Sequence, residues 1–422
     1  MNLFNLLMII TFVIGYLFIA IEHVSKINKT SIALLMAIVC WILQFASGTA
    51  SHEKNIEWLG EHMANISQIV FFLLGALTIV EIINAHKGFS ILSNAIEPKS
   101  KKKLLWTIGF ISFFLSSILD NLTTTIIMVT LLRKLLDSNE DRLLLGGTVV
   151  VAANAGGAWT PIGDVTTTML WIGGQLSTVN IIKVLFLPSL VCLVAFLAMI
   201  GIFLKGEFTS NPVSVKEEKE PMGNIVFWLG VICLISVPLF KIYTGLPPFM
   251  GMMFGLGLMW LFTDFVHTGI PTREHLRVPA IMTSIDVSGV LFFLGILLCI
   301  DALQTAGILY NLANWMDNTI GNSEFVAIAI GLASAVVDNV PLVAAVMGMY
   351  DLSTYPMDSS FWNLVAYCAG TGGSILVVGS AAGIAFMGLE RVQFFWYLRR
   401  IGIAAFVGYF AGIGTFKLAQ FF

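Results

Sequence analysis

Charge is scarce in this chain. Asp, Glu, Lys and Arg make up 11% of its 422 residues and hydrophobic side chains 57%, whereas about a quarter of an ordinary soluble domain is charged. That excludes a soluble enzyme of this length. The 22 basic and 25 acidic residues leave a formal charge of -3, so there is no basic surface for nucleic acid. Cysteine is sparse as well. Cys40, Cys192, Cys233, Cys299 and Cys368 lie singly in apolar runs, with no close pair along the sequence for a metal knuckle or a redox motif, and each is expected as a small buried hydrophobe. The six histidines, His23, His52, His62, His86, His267 and His275, fall in polar breaks. They are expected as solvated loop residues, and a metal- or haem-ligating bundle of helix-facing imidazoles is not. The first residues lack a basic leader and a small-residue cleavage site, so 3–21 is expected as a membrane span and not as a removable signal.

What the chain has in abundance is long apolar runs. Spans are expected near 3–21, 31–48, 66–85, 143–172, 181–204, 224–242, 246–262, 286–300, 361–388 and 401–421. Two other apolar stretches, 104–136 and 323–350, are interrupted at their centres by Asp120-Asn121 and Asp338-Asn339. Beyond each interruption only 11 residues precede the next charge, about 16 Å of helix against a hydrocarbon core of about 30 Å. These stretches therefore read as re-entrant hairpins, tolerable only where their tips are buried in protein or line a watery cavity. Ten crossings put both termini on one side. With the termini outside, every basic residue except Lys54, Lys183, Lys241 and Lys417 falls on the cytoplasmic side, as the positive-inside rule requires. The first hairpin then enters from the cytoplasm and the second from outside. The charged stretch 206–223 is a cytoplasmic linker between a first half, 1–205, and a second half, 224–422.

The halves repeat. Leu74-Gly75 and Glu81 align with Leu294-Gly295 and Asp301 at an offset of 220, the Asp-Asn pairs at 218, and Gly156-Gly157 with Gly372-Gly373 at 216. The slow drift marks a duplication. Because the span containing Leu74 and its counterpart run in opposite directions, the repeats have inverted topology. The fold class expected is an all-α polytopic membrane protein of inverted repeats, with two re-entrant hairpins and two broken helices, as in secondary transporters. The breaks lie in 143–172, at Gly156, Gly157, Pro161 and Gly163, and in 361–388, whose glycines align with them.

Asp120, Asp164 and Asp338 are the deepest acids, and no basic residue is placed to pair with them. Uncompensated carboxylates in a membrane attract a cation. Surroundings of Asp, Asn, Thr and backbone carbonyl suit a hard ion such as sodium or lithium, and an unoccupied carboxylate there takes a proton. The expected mechanism is competition of cation and proton for the same aspartates, turned into exchange by alternating exposure. Asp164 leads the candidates, followed by Asp120, with Asn121, Asn154, Thr123, Thr166 and Thr167 as polar ligands and Asp338 and Asn339 at the second tip. Asp120, Asn121, Asn154 and Asp164 are the expected sodium or lithium ligands. A lone Asp-Asn pair is more often a turn former; two at matched repeat positions favour a site. The threonine clusters serve equally well as packing between helices. Glu81, Asp301 and Asp286 are expected as solvated caps. No cofactor is expected beyond the transported ions, and no nucleophile-base-orienter set for an enzyme is present.

The paired Asp-Asn hairpins, NAGGAWTPIGDVTTT after the first and AGTGGS after the second, resemble the NhaD-type sodium/proton antiporters of the ion transporter superfamily, over nearly the whole chain. The resemblance implies a scaffold domain that mediates homodimerisation and a transport domain of hairpins and broken helices that moves like an elevator. Carried over by position, it adds Ser334 and Ser374 to the relay formed with Asp120, Asn121, Asn154, Asp164, Thr166, Thr167 and Asn339. It implies an integral protein of a prokaryotic inner membrane whose partners are sodium or lithium ions, protons and lipid. Related dicarboxylate carriers have Ser-Asn-Thr at the tips; here an acid replaces the serine, which argues against a dianion, and Val340-Pro341 replaces the threonine at the second tip. The competing reading is a sodium-coupled organic-anion carrier or an arsenite-type oxyanion permease.

Overall fold

The computed structural model describes residues 2–20, 22–94, 96, 100–136, 138–204 and 220–420; all of the expected linker except its last four positions lies outside them. Among the described residues there is no strand, and seventeen helices have eight residues or more. In chain order these are α1 Leu3–Ala20, α2 Lys29–Ala46, α3 His52–Ala85, α4 Lys101–Leu119, α5 Asn121–Leu135, α6 Asn139–Gly157, α7 Val165–Ile172, α8 Thr178–Phe203, α9 Gly223–Thr244, α10 Pro248–His267, α11 Val287–Thr305, α12 Ile308–Ile320, α13 Ser323–Ala333, α14 Asn339–Met349, α15 Ser360–Gly372, α16 Ala381–Glu390 and α17 Ile403–Ala419. Eight helical stretches are long and apolar enough to cross a membrane. The chain is an integral, polytopic, all-helical membrane protein.

Helix is what an apolar chain must form where no water is available to its backbone, and the exposed amides of each first turn still need acceptors. The sequence supplies them from short polar side chains. Asn28, Ser51, Ser100, Ser138 and Ser177 cap α2, α3, α4, α6 and α8, each accepting from an amide of the first turn.

Seven of the ten expected spans have such a crossing helix; the eighth is α4, the first arm of the expected hairpin 104–136, which at 19 residues reaches crossing length. α1, over the expected 3–21, is an 18-residue apolar helix. The stretches 143–172 and 361–388 are each divided in two by a non-helical turn, at 158–164 and 373–380. α3 corrects the expected 66–85. It starts at His52 and runs for 34 residues, about 51 Å, because the Ser51 cap sets its start where the hydropathy pattern could not. α12 was not anticipated.

The histidines also need correction. His86 and His267 are fully buried, with their Nε2 atoms 3.0 Å apart and His86 Nδ1 on the Ile82 carbonyl at 2.7 Å. His62 lies within α3, 3.3 Å from Asp301 and 3.2 Å from the Thr305 hydroxyl. Adjacent helices bring these groups together, which no local polar break reveals. Asp286 does cap a helix, α11, whereas Asp301 faces His62 and Glu81 accepts from the Asn84 amide. The His23 side chain is outside the described residues. All five cysteines are buried, and packing brings Cys40 and Cys299 to 3.6 Å.

Two groups of helices recur. α1 packs on α2 and α2 on α11, while α9 packs on α10 and α10 on α3. α4 packs on α6, and α13 on α15. The last two pairs share their contacts. The Ser116 hydroxyl donates to the Ala153 carbonyl at 2.7 Å, and the Ser334 hydroxyl to the Ala369 carbonyl at 2.9 Å. Gly156 lies against the Phe113 carbonyl, and Gly372 against the Gly331 carbonyl, so close that neither position has room for a side chain. Small residues at such crossings let helix backbones touch. Gly156→Leu would push α6 off α4 and is expected to cost about 1–3 kcal/mol or more, read as a lowered melting temperature in detergent. Gly414→Ala, where the added carbon meets open space, is expected to leave it unchanged or raise it.

Candidate cation site

Four helices begin in the middle of the fold; the starts at Asn121 and Asn339 each touch the one at Asp164, and the fourth joins them through Asn154. α5 starts at Asn121, α7 after Asp164, α14 at Asn339 and α16 after Ser380. A helix start carries partial positive charge and unsatisfied amides, and each is capped by the side chain before it. Asp120 accepts from the Thr123 amide at 2.7 Å, Asp164 from the Thr166 amide at 2.8 Å, Asp338 from the Val340 amide at 3.3 Å and Ser380 from the Gly383 amide at 3.2 Å.

Asp164 is the hub. It is 1% exposed and accepts four hydrogen bonds. Oδ1 takes the Thr166 amide and the Thr166 hydroxyl, each at 2.8 Å, and Oδ2 takes the Asn121 amide at 2.6 Å and the Asn339 amide at 3.4 Å. Both Asn residues of the Asp-Asn pairs therefore reach one carboxylate oxygen. Asn121 Nδ2 also donates to Asn154 Oδ1 at 2.9 Å, and Asn154 Nδ2 donates to Ser374 Oγ at 3.1 Å and Ser380 Oγ at 2.9 Å. Asn121, Asn154, Thr166, Asn339, Ser374 and Ser380 are all buried. Among the described residues no basic side chain forms an ion pair with Asp164.

The remaining candidates lie around this network. The Asp120 carboxyl is engaged by Thr123, whose hydroxyl donates to it at 2.9 Å, and Asp120 is only partly buried. Its backbone has φ 111° and ψ 163°, a region of strain for any residue with a Cβ. Asp338 is partly buried too, with an unstrained φ of −49°. The Thr167 hydroxyl donates to the Asp164 carbonyl at 2.9 Å, not to its carboxylate, and Ser334 is taken by Ala369. Ser380, which at the offset of 216 aligns with Asp164 but is not among the candidate ligands, is in contact with Asn154.

The chemistry of this centre is that of an isolated carboxylate among neutral oxygen- and nitrogen-bearing side chains, at breaks in membrane helices. Such a centre belongs to a membrane transporter, and a family model described as citrate transporter matches residues 16–370. The chain is 53% identical to sodium/proton antiporter 1 of Arabidopsis thaliana over 97% of its length and 71% of that protein. It is 52% identical to sodium/proton antiporter 2 of the same plant, over 97% of its length and 98% of that protein. The Na(+)/H(+) antiporter NhaD of Alkalimonas amylolytica is 30% identical over 98% of this chain and 90% of that protein. The chain belongs to the NhaD-type sodium/proton antiporter family within that broader group.

Asn154→Leu tests the network itself. It leaves Ser374 without a donor, Ser380 with the Gly383 amide alone and Asn121 one bond short, and an orphaned buried group is worth about 1–3 kcal/mol. A clear fall in melting temperature is expected, larger than for Thr167→Val, whose hydroxyl serves only backbone carbonyls.

Proposed function

We propose that the protein exchanges sodium or lithium for protons, with Asp164 as the group for which cation and proton compete. The observation that supports this best is a fully buried carboxylate with no basic partner among the described residues, into which both Asp-Asn elements direct a side chain. In a membrane such a carboxylate is neutralised by a proton or by a bound cation, and a protein that presents it alternately to the two sides exchanges one for the other. Asn121, Asn154, Asn339 and Thr166 are the neutral ligands nearest it, Ser374 lies behind Asn154, and Asp120 and Asp338 add negative charge at the neighbouring helix starts. Thr167 and Ser334 hold the backbone in which these ligands sit, and Thr123 holds the Asp120 carboxyl. Hard oxygen donors suit sodium or lithium, and the relatives named as sodium/proton antiporters agree with that choice. No cofactor is required.

Inverted repeats, with 104–136 and 323–350 as re-entrant hairpins, are part of the proposal. Matched hydrogen bonds at Ser116 and Ser334, and matched close approaches at Gly156 and Gly372, support the duplication. On this reading α1, α2, α3, α9, α10 and α11 form the scaffold, through which two copies associate, and α4–α8 with α13–α17 the moving part. Both termini face outward and 206–223 is cytoplasmic, in a prokaryotic inner membrane; the relatives include plant as well as bacterial proteins.

The name of the family model favours one other reading, carriage of an organic anion. Everted vesicles holding a preformed proton gradient separate the two. Sodium or lithium chloride is expected to dissipate the gradient, and citrate at constant sodium is not. Asp164→Asn, which keeps the cap on α7, is expected to fall to background, and Asp120→Asn to retain exchange with weakened cation affinity. Exchange at the parental rate in normally inserted Asp164→Asn overturns the assignment. Orientation is testable because the native thiols are buried: Lys54→Cys should react with an impermeant maleimide in intact cells, and Glu220→Cys only in inside-out vesicles.

A further inference from the structure

The hydrogen atoms around Asp164 point the wrong way for a cation. Asn121 and Asn339 both turn their NH2 groups, not their oxygens, to Oδ2. A sodium ion held there would meet two amide donors. For Asn121 to offer Oδ1 its carboxamide must turn over, and that cannot happen alone. Asn121 Nδ2 is also bonded to Asn154 Oδ1, so a turned Asn121 would bring oxygen against oxygen unless Asn154 turned as well. A turned Asn154 would in its turn present Oδ1 to Ser374 and Ser380, which now accept from its Nδ2.

A hydroxyl, unlike a carboxylate or an amide, both donates and accepts, and can exchange the roles by rotating one hydrogen. Ser374 already donates to the Thr371 carbonyl at 2.9 Å. Ser380 accepts from Asn154 and from the Gly383 amide, and neither bond uses its own hydrogen. It is fully buried, and in the second half it occupies the place that the acid Asp164 has in the first. An acid there would be an acceptor only and would fix Asn154 as it stands.

We propose that Ser380 is a positioning residue for cation binding: its hydroxyl lets the Asn154 and Asn121 carboxamides turn together, so that Asn121 presents oxygen to an ion at Asp164. The inference rests on Asp164 being the cation site. When the site is empty Ser380 accepts from Asn154; when the site is occupied it donates to Asn154. Its effect falls on the cation-bound state and leaves the turnover of a saturated site little changed.

The test uses the full-length protein in proteoliposomes, with sodium-dependent proton exchange measured over a range of sodium concentrations. Ser380→Gly removes the hydroxyl with little loss at the cap, since glycine is itself a tolerated N-cap; Ser380→Ala is the companion variant, and Ser380→Thr keeps a hydroxyl. Both hydroxyl-free variants are expected to raise the half-saturating sodium concentration about five- to tenfold, as for one buried oxygen left without its donor. Maximal rate should stay near the parent's in both, with melting temperature near the parent's in Ser380→Gly and lower in Ser380→Ala, which also loses the cap, and Ser380→Thr should restore the affinity. Parental affinity in Ser380→Gly overturns the proposal. So does a parallel fall of rate and melting temperature in all three variants, which would make Ser380 a packing residue. Asp164→Asn, measured alongside, separates the layers: if it still exchanges sodium for protons the reading of Asp164 fails, whereas parental affinity in Ser380→Gly with an inactive Asp164→Asn removes only the role of Ser380.

Discussion

A helix that begins inside a membrane has amides with no water to satisfy them. That constraint governs the centre of this protein. Four helix starts meet there, at Asn121, Val165, Asn339 and Ala381, and the residue before each supplies the missing acceptor. Any short polar side chain would serve the backbone. The choice of aspartate at three of them, and serine at the fourth, decides what else the centre can do. The caps are structural by necessity and electrically active by composition, so the two roles cannot be separated by asking whether a given carboxylate bonds its own helix.

The same geometry clarifies how a chain matched by a citrate-transporter family model comes to lie among sodium/proton antiporters. Converging helix starts are positive ends, and with neutral caps they would draw an anion. Here carboxylates occupy three of those ends. On the proposed reading the field that would hold a carboxylate of a substrate instead holds carboxylates of the protein, and what remains to be bound is positive.

Much of this was legible in the sequence, for identifiable reasons. Membrane helices announce themselves through apolar length, and the breaks through Asp-Asn pairs and clustered glycines, because intramembrane helices are interrupted by few other residues. Asp164, Asn121 and Asn154 stood out since polar side chains are rare at that depth. What could not be read was mutual orientation. Nothing in the spacing of Asp120 says that its carboxyl turns back onto Thr123 while the neighbouring Asn121 reaches Asp164; that depends on a φ of 111° at a single residue. The buried His86–His267 contact and the Cys40–Cys299 contact join helices far apart in the chain, and a pattern read along one strand of sequence has no access to them. Ser380 aligns with Asp164 in the sequence but is not among the candidate ligands for a different reason: a serine in place of the acid carries no charge to draw a cation.

The length of α3 has a consequence of its own. A continuous rod of 34 residues is far longer than the hydrocarbon is thick, so it must tilt or protrude, and it resists being drawn into the lipid at either end. It also touches α7, the short helix that Asp164 caps. On the proposed reading, in which α3 belongs to the scaffold and α7 to the moving part, α3 is a ruler and α7 a mark beside it. Displacement of the carboxylate would then be counted in helical turns of α3, which turns a question about conformational range into one about which rung of a single helix lies opposite Asp164.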